Sequence, residues 1–163
     1  MKENIKILDL DIKKCEEALK LNNLLEMVII IEEMIDKYKN QINNLSSLEK
    51  NNVWSYKKKD LEDLNEYLNE YKNKLTNEYK ISALKEVFDD SVSEIESNTS
   101  LSIDKKLEVT DIINSIKDIS FNSKSVEEKW KEIRSYINYI SQEEFIIANN
   151  LLNLVSFVLK TDL

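Results

Sequence analysis

The chain has 163 residues, with 31 Asp and Glu against 23 Lys and Arg for a formal net charge of −8, and it contains no Gly, no Pro and no His. The missing Gly excludes the Walker loop and the dinucleotide fingerprint, and the missing His excludes imidazole bases, His-based triads and His-ligated zinc or iron. Cys15 is the only cysteine, so the chain holds neither a disulfide framework nor a cysteine zinc site of its own.

Length and composition together point to an all-α fold. A chain of this size buries roughly 70% of its unfolded-chain surface around a core of its own. Tight hairpins need the positive φ of glycine, and helices are not interrupted where proline is absent. Long helices joined by Asn, Ser, Asp and Lys are what remain. The wealth of Asn, Lys, Ile and Tyr fits the codons of an AT-rich genome, and no signal, transit or lipidation motif is present. A cytoplasmic protein of bacterial or phage type is the resulting expectation.

Periodicity divides the chain into seven helical segments. The first, residues 4–21, carries the stripe Ile5, Leu8, Ile12, Cys15 and Leu19, which puts the thiol in the core. Asn23 with Glu26 reads as the cap of a second helix over 24–46, whose apolar arc runs from Leu24 and Val28 to Ile42 and Leu45. The connector SSLEKNNVWSY leads into a third helix over 55–79. Its seam is Leu61, Leu64, Leu68, Tyr71, Leu75 and Tyr79, so two of the three tyrosines in the repeated Asn-Glu-Tyr triplets belong to the core side.

After Tyr79 the stripe shifts by nearly half a turn, which predicts a kink or a new helix near 80–82. A fourth helix over 83–97 follows, with Leu84, Phe88, Val92 and Ile95. The fifth, 103–119, buries Val109, Ile112, Ile113, Ile116 and Ile119. Ser125 with Glu128 is a capping box for a sixth helix ending near 140, with Val126, Trp130, Ile133, Ile137 and Ile140 as its inner face. Ser141 with Glu144 predicts the same device for the last helix, 142–160. Its sequence FIIANNLLNLVSFVL is too short and too rich in Asn for a membrane span, which needs about 20 apolar residues. The expected architecture is a long antiparallel helical hairpin with the N-terminal helix packed on it over residues 1–80, then a compact bundle of about four shorter helices over 81–163.

Several clusters compete for a functional role. Glu33 and Asp36 on one helix with Asp63 and Glu66 on the next resemble the acidic pairing of all-α nucleotide pyrophosphohydrolases, which implies a magnesium site. Glu33, however, lies about 180° from its helix's buried stripe, whereas metal-binding carboxylates must converge in a shielded cleft. FDDSVSE, residues 88–94, resembles the acidic motif of helical terpenoid enzymes, but Asp89 and Asp90 point about 100° apart and no second acidic motif accompanies them. Neither pattern supports a metal, a cofactor or a catalytic residue in this chain.

Binding surfaces are the better candidates. Trp54 and Tyr56 beside Lys57, Lys58 and Lys59 combine stacking and cationic groups, the one place where nucleic acid contact is plausible on an otherwise acidic chain. Between residues 81 and 123 acids outnumber lysines nine to four. Glu86, Asp89, Asp90, Glu94, Glu96 and Asp104, continued by Glu108, Asp111 and Asp118, form an acidic surface able to imitate a phosphate backbone. Ile146 and Phe157 project along the polar strip of the last helix, where another helix of the chain or a partner must cover them. The expectation is a non-enzymatic helical protein that binds another protein and acts by occlusion, as an inhibitor, an immunity-type protein or an adaptor, with self-association compatible with the last helix. The alternatives are an acidic mimic that blocks a nucleic-acid-binding protein and, behind it, the magnesium-dependent pyrophosphohydrolase.

Overall fold

A computed structural model describes residues 2–21, 23–122 and 125–161, and every regular element among them is helical. The α-helices are α1 (Lys2–Leu21), α2 (Leu24–Tyr38), α3 (Lys58–Ser97), α4 (Ile103–Phe121), α5 (Val126–Ile140) and α6 (Phe145–Lys160); short 3-10 helices occupy Asn43–Leu48 and Val53–Ser55. The fold is all-α. The chain forms two compact units, Met1–Tyr79 and Lys80–Leu163, each with its own core.

In the first unit the predicted stripes of α1 and α2 meet. Leu8, Ile12 and Cys15 pack with Ile31, Met34 and Ile35, and Leu61, Leu64 and Leu68 of α3 complete the core. Each aliphatic side chain buried in this way contributes about 1.5–3 kcal/mol. Asn23 caps α2 as expected, its side chain accepting from the Leu25 and Glu26 N–H groups. The α-helix stops at Tyr38, well short of residue 46. Ser46 and Ser47 turn their hydroxyls onto the Asn43 and Asn44 carbonyls, and such short polar side chains compete with the helical hydrogen-bond ladder. Leu45 is nevertheless fully buried.

A carboxylate also enters this interior. Asp11 is buried, receiving hydrogen bonds from Lys37 Nζ at 2.5 Å and the Tyr38 hydroxyl at 2.6 Å. Burial works to raise the Asp11 carboxyl, but those two donors outweigh it and hold it below the usual carboxylate range. The Lys72 ammonium does the same for the more exposed Asp9 and links α3 to α1.

The second unit packs Leu84, Phe88 and Ile95 of α3 against Val109, Ile113 and Ile116 of α4, Ile133 and Ile140 of α5, and Ile147, Leu151 and Leu154 of α6. No new helix starts at 80–82: α3 is one helix of 40 residues. With neither Gly nor Pro there to end it, the change of stripe marks the point where the helix stops serving one core and starts serving the other, and Tyr79 and Ile81 at that point are partly exposed.

Two further expectations fail for identifiable reasons. The Ser125–Glu128 capping box is present, but Trp130, placed on the inner face of α5, is 42% exposed, and Val126 is similarly open. The face is rotated towards Lys129, whose buried stem ends in a 3.2 Å hydrogen bond from Nζ to the Thr161 carbonyl beyond α6. The second box, Ser141 with Glu144, does not form. Ser141 closes α5, donating its N–H to Ile137, so α6 starts later, behind Glu144, without a side-chain cap.

Candidate protein-interaction surface

Outward-facing positions of α4 form a surface that its inward stripe does not explain. Ser102 caps the helix through the Lys105 N–H, so Ile103 is its first residue. Val109, Ile113 and Ile116 point inwards, which leaves Ile103, Asp104, Leu107, Glu108, Asp111 and Asp118 on the opposite side, within an arc of roughly 140°. Ile103 is 78% exposed and Leu107 61%, two large aliphatic side chains on one turn. Phe145, the first residue of α6, is 82% exposed. Scattered exposed aliphatics are ordinary on a protein surface; a pair at i and i+4 bracketed by carboxylates is a patterned face.

Ion pairs fix this face on its underside. Lys105 Nζ donates to Glu143 at 2.7 Å, to the Tyr139 hydroxyl at 3.0 Å and to Glu108 at 3.1 Å. Burial acts to lower the Lys105 ammonium, and the hydrogen bonds to Glu143, Tyr139 and Glu108 more than reverse that, so it remains a fixed cation beyond its ordinary range. Lys117 bridges to Asp89 at 3.1 Å and lies over the Phe88 ring, while Lys106 donates to the Glu96 carbonyl at 2.7 Å near the C-terminus of α3. These bonds run α3 antiparallel along α4. Asp104, Asp111 and Asp118 form no ion pair among the described residues and are left to solvent or a partner.

The acidic residues singled out in the sequence are all exposed but not equivalent. Asp89 is tied to Lys117, and Glu94 accepts from the buried Asn150 Nδ2 at 2.7 Å. Among the described residues, Glu86, Asp90, Glu96 and Asp104 have no such tie to a side chain. Phe157 is half-buried against the second core, and Ile146 is close to half exposed.

Trp54 and Tyr56 part company. Trp54 stands 62% exposed, whereas Tyr56 is buried, and its hydroxyl donates to Glu32 at 2.5 Å. Burial and the Glu32 carboxylate push the phenol up to about 12. A joint stacking platform is therefore not formed, and Tyr56 is withdrawn from any surface role. Of the neighbouring lysines, Lys59 pairs with Asp63 at 2.7 Å.

The carboxylate pairs remain separate. Glu33 bonds to Lys14 at 3.1 Å, Asp36 to Lys39 at 3.1 Å and Asp63 to Lys59, and among the described residues no group of three or more Cys, Asp or Glu is disposed to hold a metal ion. Cys15 is buried, and burial, with Asp11 nearby, pushes its thiol up to about 12. No described helix is long and apolar enough to cross a membrane. No protein-family model, curated protein or solved structure matches the chain.

Ile103, Leu107 and Phe145 were absent from the sequence candidates. The signal was there: Ile103 and Leu107 fall outside the Val109, Ile113, Ile116 stripe, so helical spacing alone assigns them to the acidic side of α4.

Proposed function

We propose that the protein is a non-enzymatic binding protein that covers a functional surface of another protein with the outer face of α4. The observation that carries this reading is the exposed Ile103–Leu107 pair set among Asp104, Glu108 and Asp111. Apolar side chains at the centre of a contact supply affinity, and the carboxylates around them select a partner with a basic rim. Inhibitor, immunity-type and adaptor roles all work through such occlusion. The four carboxylates along one side of α4, Asp104, Glu108, Asp111 and Asp118, also favour a second reading, in which this face imitates a phosphate backbone and the partner is a nucleic-acid-binding protein.

The test is affinity capture from a lysate of the source cell, treated with nuclease, with wild-type protein and Leu107→Glu side by side. One stoichiometric protein retained by the wild type and lost from the variant is the expected result. Competition of that protein's binding by DNA or RNA selects the second reading. Absence of a protein partner, recovery that disappears with nuclease, or capture indifferent to Leu107→Glu overturns the assignment.

A further inference from the structure

A pocket in the first unit carries side-chain chemistry that the fold leaves unused. It opens where the end of α1 and the start of α2 meet the residues that lead into α3, and it encloses about 170 Å³. Its floor is apolar: Ala18, Met27 and Tyr56 are all buried there. The Tyr56 hydroxyl is spent on Glu32, which does not line the pocket. The mouth is made by Asn23, Leu24, Lys57 and Lys58, all exposed. Asn23 Oδ1 is taken by the N–H groups of Leu25 and Glu26, so the amide turns its donor end to the surroundings. Among the described residues neither lysine forms an ion pair, and no carboxylate lines the pocket. Asp60, the carboxylate nearest to them in sequence, already accepts from Lys50 Nζ and from the Lys57 N–H. Two ammonium groups without a counter-charge therefore border an apolar recess.

We propose that this pocket binds a small amphiphilic carboxylate, with its apolar group on Ala18, Met27 and Tyr56 and its charged head at Lys57 and Lys58. Size sets the apolar part. A cavity of roughly 150 Å³ accommodates benzene, so this one takes a single aromatic ring or a chain of about six carbons. Charge sets the head: like charges on adjacent residues repel, and an anion placed against both relieves that repulsion. A neutral apolar ligand would leave the lysines as they are, and a bare anion would leave the recess empty. Only a molecule with both parts uses both halves of the site. The site lies wholly within the first unit and is independent of α4 and of any partner bound there.

Amide NMR of the full chain, titrated with hydrocinnamate, its neutral amide and acetate, tests this. Hydrocinnamate should give saturable shifts at Ala18, Met27 and Tyr56 to Lys58, with a dissociation constant on the order of 1 mM, as suits so small a ligand. The amide, which lacks the charge, should bind about tenfold more weakly, acetate should not saturate, and high salt should weaken hydrocinnamate. Lys57→Gln and Lys58→Gln should each cost about threefold. Leu24→Glu, at the exposed first residue of α2, supplies the lysines with a carboxylate of the chain's own and should abolish binding. The unshifted remainder of each variant's spectrum reports an intact fold. A peptide ending in Phe, titrated alongside, should bind no more tightly than the free acid. No saturable shift with hydrocinnamate, shifts located elsewhere, an amide that binds as well as the acid, binding indifferent to Leu24→Glu and to both lysine variants, or a preference for the peptide overturns the proposal.

Discussion

The two units fill their interiors with the same kinds of aliphatic side chain but settle their polar groups differently. In the first, charge comes inside or to its margin: Asp11 between Lys37 and Tyr38, Glu32 on Tyr56, Asp60 on Lys50. The buried polar groups of the second include a neutral amide, Asn150, bonded to Glu94 and the Ser91 carbonyl, and a lysine stem ending on a backbone carbonyl. The carboxylates held below their ordinary range, Asp9, Asp11 and Asp60, belong to the first unit. The difference teaches that similar cores acquire unlike sensitivities from a few polar residues: depressed carboxylates tie the first unit's stability to acid pH, whereas the ionic bonds of the second centre on a lysine, Lys105, whose ammonium is held charged. Trp54 and Trp130 give each unit a fluorophore, so Trp130→Phe and Trp54→Phe backgrounds follow the two separately.

The largest effect comes from core volume. Phe88→Ala removes a fully buried ring from the second unit and costs about 3–5 kcal/mol. Chemical denaturation followed through Trp130 should move by that amount, and a larger shift at Trp54 than at Trp130 would break the comparison.

Next is charge. Asp11→Asn keeps the shape of the side chain but loses its ionised bonds to Lys37 and Tyr38, at a cost of about 2 kcal/mol at neutral pH. The sign with pH follows from the direction of the shift. A carboxyl whose folded value is depressed stabilises the fold above its unfolded value, about pH 4, and that contribution disappears as pH falls through the folded value. Acid titration read at Trp54 should therefore converge for wild type and Asp11→Asn at the lowest pH. A constant difference between them at every pH refutes the ionic account.

The smallest effect should sit at Asn150. Its Oδ1 is buried without a donor, so Asn150→Leu removes an unsatisfied acceptor together with the bond to Glu94. The two offset, and the net change should stay within about 1 kcal/mol. Equilibrium unfolding at Trp130 checks this, and a loss as large as that of Asp11→Asn would erase the contrast between the units.

How much of this was readable in advance depended on which residues supplied the signal. Stripes such as Leu8, Ile12, Cys15 and Leu61, Leu64, Leu68 pointed inwards as periodicity required, because burial of apolar area dominates and repeats at the helical spacing. Local polar signals failed where a tertiary contact outbid them. Trp130 gave up its place to the stem of Lys129 because the Thr161 carbonyl, 32 residues later, was within reach. Ser141 was needed to end one helix and could not begin the next. The buried Asp11 was invisible for the same reason, since its partners lie 26 and 27 residues away. At the surface, acidic residues could be counted from sequence, but which of them are occupied, like Asp89 and Glu94, and which are open, like Asp104 and Asp111, depended on lysines and an amide brought over from other helices.

Cys15, the only thiol in the chain, supplies a clock for the first unit. Buried and with its ionisation pushed to about 12, it is inert to a disulfide reagent near neutral pH while the unit is closed, and regains ordinary nucleophilicity each time the unit opens. The labelling rate therefore counts openings one molecule at a time, against a native background near zero. A second unit that stays folded leaves that count unchanged.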